Sequence, residues 1–458
     1  MKVIICGAGQ VGYGIARQLS LEQNTVTVVD QSPDLVRRIS DQLDVRGVVG
    51  HGSHPDTLDR AGAADADMII AVTFFDEVNM VSCQVAHSLF NVPTKIARVR
   101  AQSYLSPIWQ DLFSRDQMPI DVIISPELEV GRSVLRRLNV PGAFETRGFA
   151  DERVQMIGVH LEDDCPIVDT PLSQLSELFP DLNITVVGIN REGKMFVPDK
   201  SDPMMVGDDV YFVCARERVT RALDVFGHTE TEARRVVLIG GGNIGLYVAQ
   251  QLENTNTGIR VKIIEADKER AEVAADQLQR TVVLWGDGLD ETVLSEAGAA
   301  QAEAVVALTN DDEVNILASL ISKRLGGQRT LSLVNNPSYS PLAKSLGIDS
   351  SIDPRATTVS TILRHVRRGR IRGLYSVHDG SAEMIEAEAL ETSPLVGKPL
   401  RDVSLPDGII VGAIVRGDEV ISPRGDTKIQ TGDQVIIFAL SDMVRKVEQL
   451  FRVSIDFF

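Results

Sequence analysis

Residues 3–12 read VIICGAGQVG, and residues 236–245 read VVLIGGGNIG. In each, an apolar run leads straight into Gly-x-Gly-x-x-Gly and then into a helical pattern. Strand, glycine turn and helix in that order open a dinucleotide-binding βαβ unit. The first glycine permits the tight turn, the second lets a pyrophosphate approach the backbone, and the third lets helix pack on strand. The helix N-terminus then offers N–H groups and a partial positive charge to the phosphates. The apolar stretch Val26-Thr27-Val28-Val29 that follows ends at Asp30, and the second copy has Glu265 in the same place. A carboxylate at that strand end suits the paired hydroxyls of an adenosine ribose and repels a 2′-phosphate, which favours NAD over NADP. A packing-only role for the glycines would leave both carboxylates without a reason.

The two stretches belong to a longer repeat. Gly7, Gly9 and Gly12 match Gly240, Gly242 and Gly245 at an offset of 233, and Thr73, Asp76, Glu77, Val78 and Asn79 match Thr309, Asp312, Glu313, Val314 and Asn315 at 236. In the first half, apolar runs at 2–6, 25–29, 45–49, 68–72, 95–99 and 121–124 alternate with helical patterns such as 11–20 and 77–90. That alternation predicts a parallel sheet covered by helices. The second part of each half differs, with short β-branched runs separated by Gly, Pro and Asp turns. These runs are 155–161, 184–189 and 210–214, then 409–415 and 434–438. Pro198, Gly207 and Asp208 match Pro423, Gly432 and Asp433 at an offset of 225. The chain therefore reads as α/β, with two doubly wound parallel-sheet Rossmann domains, each followed by a small α+β lobe. The expected boundaries are 1–140, 141–230, 231–370 and 371–458.

Composition narrows the function. Asp plus Glu outnumber Lys plus Arg by 64 to 46, a net charge of −18. A dedicated nucleic-acid binder needs cations against phosphates, and adhesion to anionic lipid needs them too. The four cysteines, Cys6, Cys83, Cys165 and Cys214, share no CxxC spacing, so neither a zinc site nor a disulfide framework is indicated and a reduced cytoplasmic setting is expected. No apolar run reaches the roughly 18 residues of a membrane helix. No catalytic or metal-ligating cluster stands out, and Asp163, Asp164, Asp208 and Asp209 read as turn residues.

The strand-GAGQVG start, Asp30, Gly50-His51-Gly52, Ala71-Val72-Thr73, the Asp76-Glu77-Val78-Asn79 helix start, Ile96-Ala97-Arg98-Val99 and Ile123-Ile124-Ser125-Pro126 together resemble an RCK/KTN domain. The stretches near 145–230 and 375–455 resemble the C-terminal lobe that accompanies it. Two such pairs in one chain are similar to the cytosolic regulatory subunits of bacterial potassium uptake. The resemblance implies a nucleotide-sensing protein that binds NAD(H) or ATP/ADP in its Rossmann crevices. It implies a homotetrameric ring on the inner face of the membrane, beneath a potassium channel or transporter subunit of the TrkH/TrkG type. By that likeness Gly7, Ala8, Gly9, Gln10, Val11 and Gly12 face the pyrophosphate and Asp30 the ribose. Thr73 and Phe74 line the pocket, and Arg98 faces the phosphates. In the second copy Gly240, Gly241, Gly242, Asn243, Ile244, Gly245, Glu265 and Thr309 take these places.

The copies depart from one another. The second keeps a Gly-Asp pair, Gly286-Asp287, where the first has Gly50-His51. His51 is then either an exposed loop histidine or a neighbour of the adenine. Counting from the Tyr104–Tyr339 match puts Leu333 in the place of Arg98, so the first site is expected to prefer the more highly charged phosphate. Residues 364–372, RHVRRGRIR, are either a solvated helix end or a docking or anion contact, on a crossover helix comparable with 127–138. The alternative function is an NAD-dependent oxidoreductase, but that needs a substrate domain with an acid–base residue near the nicotinamide. No His-Asp or Lys-Asp cluster stands out in the sequence of the lobes to suggest one.

Overall fold

The computed structural model describes all residues except 115, 180, 231, 256–257, 367–370 and 452–458. The chain forms two compact units. One comprises Met1–Gly131 with Asp353–Arg367, the other Arg132–Ile352 with Arg368–Phe458.

The first unit is built on β1 (Lys2–Cys6), β2 (Thr25–Asp30), β3 (Arg46–Val49), β4 (Met68–Ala71), β5 (Thr94–Arg98) and β6 (Val122–Ile124), close to the six apolar runs. They lie in the order β3-β2-β1-β4-β5-β6, every pair parallel. Central strands such as β1 and β4 are apolar and buried almost throughout, because helices cover both faces of a parallel sheet. On one face Ile15, Leu19 and Ile39 join Ile362, Leu363 and Val366, and on the other Leu58, Met80, Cys83 and Ala86 close the core. The three residues from the 360s belong to the helix Pro354–Val366, which packs against the helix Gln10–Leu21. Gly14 makes the approach possible, since a Cβ there would fall 2.9 Å from Val359 Cγ2. Burying Ile362, Leu363 and Val366 contributes roughly 5–8 kcal/mol on the usual scale for large aliphatic side chains. The chain order reverses between β1 and β4, and in such sheets the ligand crevice opens at the carboxyl ends of those strands.

The second unit repeats this sheet. β7 (Ala143–Phe149), β8 (Val154–His160), β9 (Thr185–Arg191), β10 (Lys194–Phe196) and β11 (Asp209–Ala215) form an antiparallel sheet ordered β10-β9-β11-β8-β7. Next come β12 (Arg235–Ile239), β13 (Arg260–Glu265), β14 (Val282–Trp285), β15 (Ala304–Ala307), β16 (Thr330–Leu333) and β17 (Ser350–Ile352), parallel in the order β14-β13-β12-β15-β16-β17. Last are β18 (Ile371–Val377), β19 (Ala382–Glu388), β20 (Ile409–Arg416), β21 (Glu419–Ile421) and β22 (Gln434–Leu440). They lie antiparallel in the order β18-β19-β22-β20-β21.

The two antiparallel lobes share a core in which Phe149, Met156, Val213 and Tyr211 meet Met384, Val415, Ile436 and Phe438. Gly188 admits the Phe438 ring, whose Cζ would lie 2.6 Å from a Cβ there, and Gly412 fits against Val187 and Val213. A glycine inside a strand commonly marks such a close approach. Each lobe also braces its turn in the same way. Arg191 donates to both oxygens of the buried Asp208 at 2.8 and 2.7 Å, and Arg416 to Asp433 at 2.9 and 2.8 Å. Asp208 is thus a turn residue, as expected, but one fixed by a cation rather than solvated. In the arginine-rich stretch, Arg367, Arg368 and Arg370 lie outside the described residues, as do the side chains of Arg364 and Arg372.

Candidate functional site

The three glycines of each loop have distinct physical causes. Gly7 and Gly240 sit at φ +113° and +107°, where a side chain is strained, and a Cβ on either would press on the loop after β4 or β15. A Cβ on Gly12 would fall 1.8 Å from Gly7 O, and one on Gly245 2.0 Å from Gly240 O. These four are glycines because the protein's own backbone demands it. Gly9 and Gly242 are different. Their φ values, −67° and −69°, suit any residue, and a Cβ on either would meet nothing within 4 Å. Both sit at the N-cap of a helix with no side-chain cap. They hold open the space in front of a helix start where N–H groups and the helix dipole favour an anion.

The strand-end carboxylates have a structural role that the sequence did not reveal. Asp30 Oδ2 accepts the Ala8 N–H at 2.7 Å and Oδ1 the Ser32 N–H at 2.8 Å. Glu265 Oε2 accepts the Gly241 N–H at 2.7 Å and Oε1 the Asp267 N–H at 2.9 Å. Each carboxylate therefore braces its glycine loop whatever else it binds, so a packing role for the loop does not leave it idle.

Across the crevice, an asparagine that the repeat and the family resemblance mark, though not as a site residue, holds the other wall. Asn79, fully buried, accepts from the Thr73 N–H (2.8 Å) and hydroxyl (2.7 Å). It donates to Thr73 O (3.1 Å) and Arg98 O (3.0 Å). Asn315 does the same for Thr309 and Leu333, at 2.9, 2.7, 2.9 and 3.1 Å. One buried amide thus ties the ends of two neighbouring strands. The signal was present in the sequence, as an asparagine matched between the copies three residues after a matched acid. The acid three residues earlier completes the wall, with Asp76 accepting from the Arg100 and Ala101 N–H groups and Asp312 from those of Asn335 and Asn336.

The structure places Arg98 and Leu333 at the same point, since each pairs with the last residue of the neighbouring strand, Ile124 or Ile352. Arg98 is half-buried and its Nε finds no hydrogen-bond partner among the described residues. Burial, and then the nearby Arg100, disfavour its charged form, pulling its pKa down. Phe74 is 69% exposed, stands edge-on to Phe75, and carries the Arg100 guanidinium 5.3 Å from its ring centre. His51 is half-buried, with Nδ1 2.8 Å from Ser53 Oγ and its ring stacked on His54 at 4.6 Å. Asp287 caps its own turn by accepting the Leu289 N–H. The predicted residues thus gather at the carboxyl end of each parallel sheet, with His51 and Asp287 at its β3 and β14 side.

In comparison with known proteins, the TrkA-N domain matches residues 3–126 and 236–354, and the TrkA-C domain matches 156–227 and 384–452. The chain is 58% identical to the Trk system potassium uptake protein TrkA of Azorhizobium caulinodans, over all of both chains. It is 42% identical to the TrkA of Halomonas elongata, again over all of both. Among solved structures it is similar to the GsuK RCK domain, with a TM-score of 0.60, 18% identity, and 98% of this chain and 94% of that one covered. It is also similar to the GsuK channel bound to NAD, with a TM-score of 0.59, 17% identity, and coverage of 98% and 78%.

Proposed function

The chain belongs to the TrkA family of Trk-system potassium uptake proteins, and from that premise we propose that it is a nucleotide-binding regulatory subunit which gates potassium uptake through a membrane partner. NAD(H) binds in the two crevices, and ATP or ADP competes for them. In the first, Gly7 to Gly12 cradle the diphosphate, Asp30 takes the ribose, Thr73 and Phe74 line the wall, His51 borders the adenine, and Arg98 faces the phosphates. In the second, Gly240 to Gly245, Glu265, Asp287 and Thr309 serve. The protein performs no hydride transfer. It works as a homotetramer on the cytoplasmic face, held there by a TrkH/TrkG-like subunit, and its four lobes divide near 140, 230 and 370. In keeping with a protein partner, no helix among the described residues is long and apolar enough to cross a membrane.

The observation that carries this reading is the pair Gly9 and Gly242, which the fold does not require and which keep open the path to an uncapped helix start. A nucleotide shifts a gate only through unequal affinity for two conformations. The helix that begins at Gln10 supplies the lever, because the same helix packs along Pro354–Val366. The test is NADH binding to the purified protein, together with potassium flux in proteoliposomes holding the membrane subunit. The expected result is two NADH per chain, no NADH oxidation with candidate carbonyl substrates, and a flux that changes with nucleotide. Absence of binding, or catalytic turnover, would overturn the proposal.

A further inference from the structure

The ribose corners of the two crevices differ in charge. After β2 the chain runs Gln31, Ser32, Pro33, Asp34, Leu35, and after β13 it runs Ala266, Asp267, Lys268, Glu269, Arg270. The helix caps fix the correspondence, since Ser32 accepts from the Leu35 N–H and Asp267 from the Arg270 N–H. Leu35 thus corresponds to Arg270, and Pro33 to Lys268. Leu35 packs into the core of the first unit. Arg270 instead turns onto the ribose carboxylate, with its terminal nitrogen 2.8 Å and Nε 3.3 Å from Glu265 Oε1, while its side chain stays 63% exposed.

The consequence is that Glu265 is buried and its Oε1 fully engaged. Oε1 accepts from Asp267 N and Arg270, Oε2 accepts from Gly241 N, and the residue is 4% exposed. Asp30 accepts one backbone N–H on each oxygen and is only partly buried, so it keeps acceptor capacity for ribose hydroxyls. The carboxylate of the second crevice is thus covered on its Oε1 side by a guanidinium, whereas that of the first is not. Lys268, paired with Glu272 at 3.9 Å, lies over the exposed Trp285 ring at 5.7 Å. Trp285 replaces Val49 at the end of the neighbouring strand, as the pairings Asp30–Val49 and Glu265–Trp285 show.

We infer that Arg270 makes the second crevice select an adenine dinucleotide phosphorylated at the ribose 2′ oxygen, NADP(H), while Asp30 keeps the first crevice for NAD(H). Arg270 donates to the 2′-phosphate in a forked geometry that suits such groups. Glu265 stays behind Arg270 as a brace for the glycine loop. This rests on the dinucleotide reading of both crevices and assigns each its ligand class.

The test is isothermal titration of the full-length protein with NADPH and with NADH. The expected result is one tight NADPH and two NADH per chain, with NADPH at least tenfold tighter than NADH at the second crevice. Arg270→Leu, which installs the residue of the first copy on an exposed position, should weaken NADPH at least tenfold and leave NADH within threefold. Arg270→Lys should restore part of the loss. Two NADPH per chain, none while NADH still binds, or NADPH affinity indifferent to Arg270→Leu would each overturn the inference and leave the nucleotide reading standing. Failure of both dinucleotides to bind would overturn that reading instead. The wild-type stoichiometries decide the matter even if a variant misfolds.

Discussion

Replacing Gly9 and Gly12 in turn by alanine separates ligand from fold within one loop. A Cβ on Gly12 would stand 1.8 Å from Gly7 O, where real contacts stop near 3.0 Å, so helix and turn must part by about 1.2 Å. Backbone cannot yield as a side-chain tip does, and the cost falls at the upper end for overpacking, about 3 kcal/mol. At roughly 2–4 °C per kcal/mol for units of this size, Gly12→Ala should melt roughly 6–12 °C lower. Gly9 has an unstrained φ of −67° and empty space in front of it. Gly9→Ala should cost at most about 1 kcal/mol, the difference between glycine and alanine at an N-cap, and shift melting by less than about 4 °C. Its methyl group nevertheless stands where the diphosphate would approach. Losing one charge-assisted hydrogen bond at about 1.5–3 kcal/mol weakens binding roughly 10- to 100-fold. Thermal unfolding by circular dichroism and NADH titration read the two effects side by side, and Gly242 with Gly245 provides an independent repeat. Gly9→Ala that binds NADH like the wild type, or melts as low as Gly12→Ala, would refute the reasoning.

Asn79→Ala strips Thr73 and Arg98 of their buried partner; at about 1–3 kcal/mol for each group left unsatisfied, it should destabilise the first unit by several kcal/mol in urea melts and weaken NADH at the first crevice. Arg98→Leu, which copies Leu333, should weaken ATP about tenfold at the first crevice with a smaller effect on NADH, as titration of the two ligands would show. Burial alone would raise the pKa of Asp209, but hydrogen bonds and charge from His160 and Lys344 outweigh it and bring it down to about 2. Because the folded value is depressed, that stabilisation is present above the unfolded pKa near 3.9 and is lost as pH falls toward 2. Asp209→Asn should therefore cost roughly 2 kcal/mol at pH 7, with the gap closing only below about pH 4 in denaturant melts. All four cysteines are free and buried, and burial pushes the Cys6 and Cys214 thiols up to about 12. Maleimide labelling of the native protein should therefore be slow and should follow unfolding, whereas rapid labelling would contradict the burial.

The parallel sheets were legible because strands buried on both faces write continuous apolar runs. The run at 121–124 became Val122–Ile124, and the run at 25–29 became Thr25–Asp30. The short outer strands Lys194–Phe196 and Glu419–Ile421 escaped notice because they are half-exposed and too brief to show a period. Burial patterns also do not name the partner that does the burying. Ile362, Leu363 and Val366 announce an apolar helix face, but nothing in their spacing says that it covers Leu19 and Ile15 of the first half. The same holds for Phe438, whose place against Gly188 depends on two lobes meeting. At the crevices the glycines and acids were readable from local spacing. Arg270 was not, since in KERAEVAADQ it reads as one more solvated charge and its pairing with Glu265 depends on the angle at which that helix leaves β13.

Duplication lets the chain serve as its own control. The bonds that set crevice shape recur copy for copy: the glycine-loop brace at 2.7 Å in both, and the asparagine clamp at 2.8, 2.7, 3.1 and 3.0 Å against 2.9, 2.7, 2.9 and 3.1 Å. Several positions at and around the crevice do not recur, with Leu35, Val49, His51, Phe74 and Arg98 standing where the second copy has Arg270, Trp285, Asp287, Asn310 and Leu333. On the proposed function, nucleotides at the two crevices have the same backbone bracing to work against but different side chains to meet. Their consequences need not be equal, because the helix leading out of the first crevice packs on a segment that follows directly from β17 of the second parallel sheet. That segment, the helix Pro354–Val366, starts one residue after β17, and the backbone and side chain of this residue, Asp353, hold its start. A coupling carried this way must be reciprocal in binding free energy. Filling the first crevice should therefore change nucleotide affinity at the second, as titration of one site with the other saturated would read, and an unchanged affinity would show that no such coupling exists.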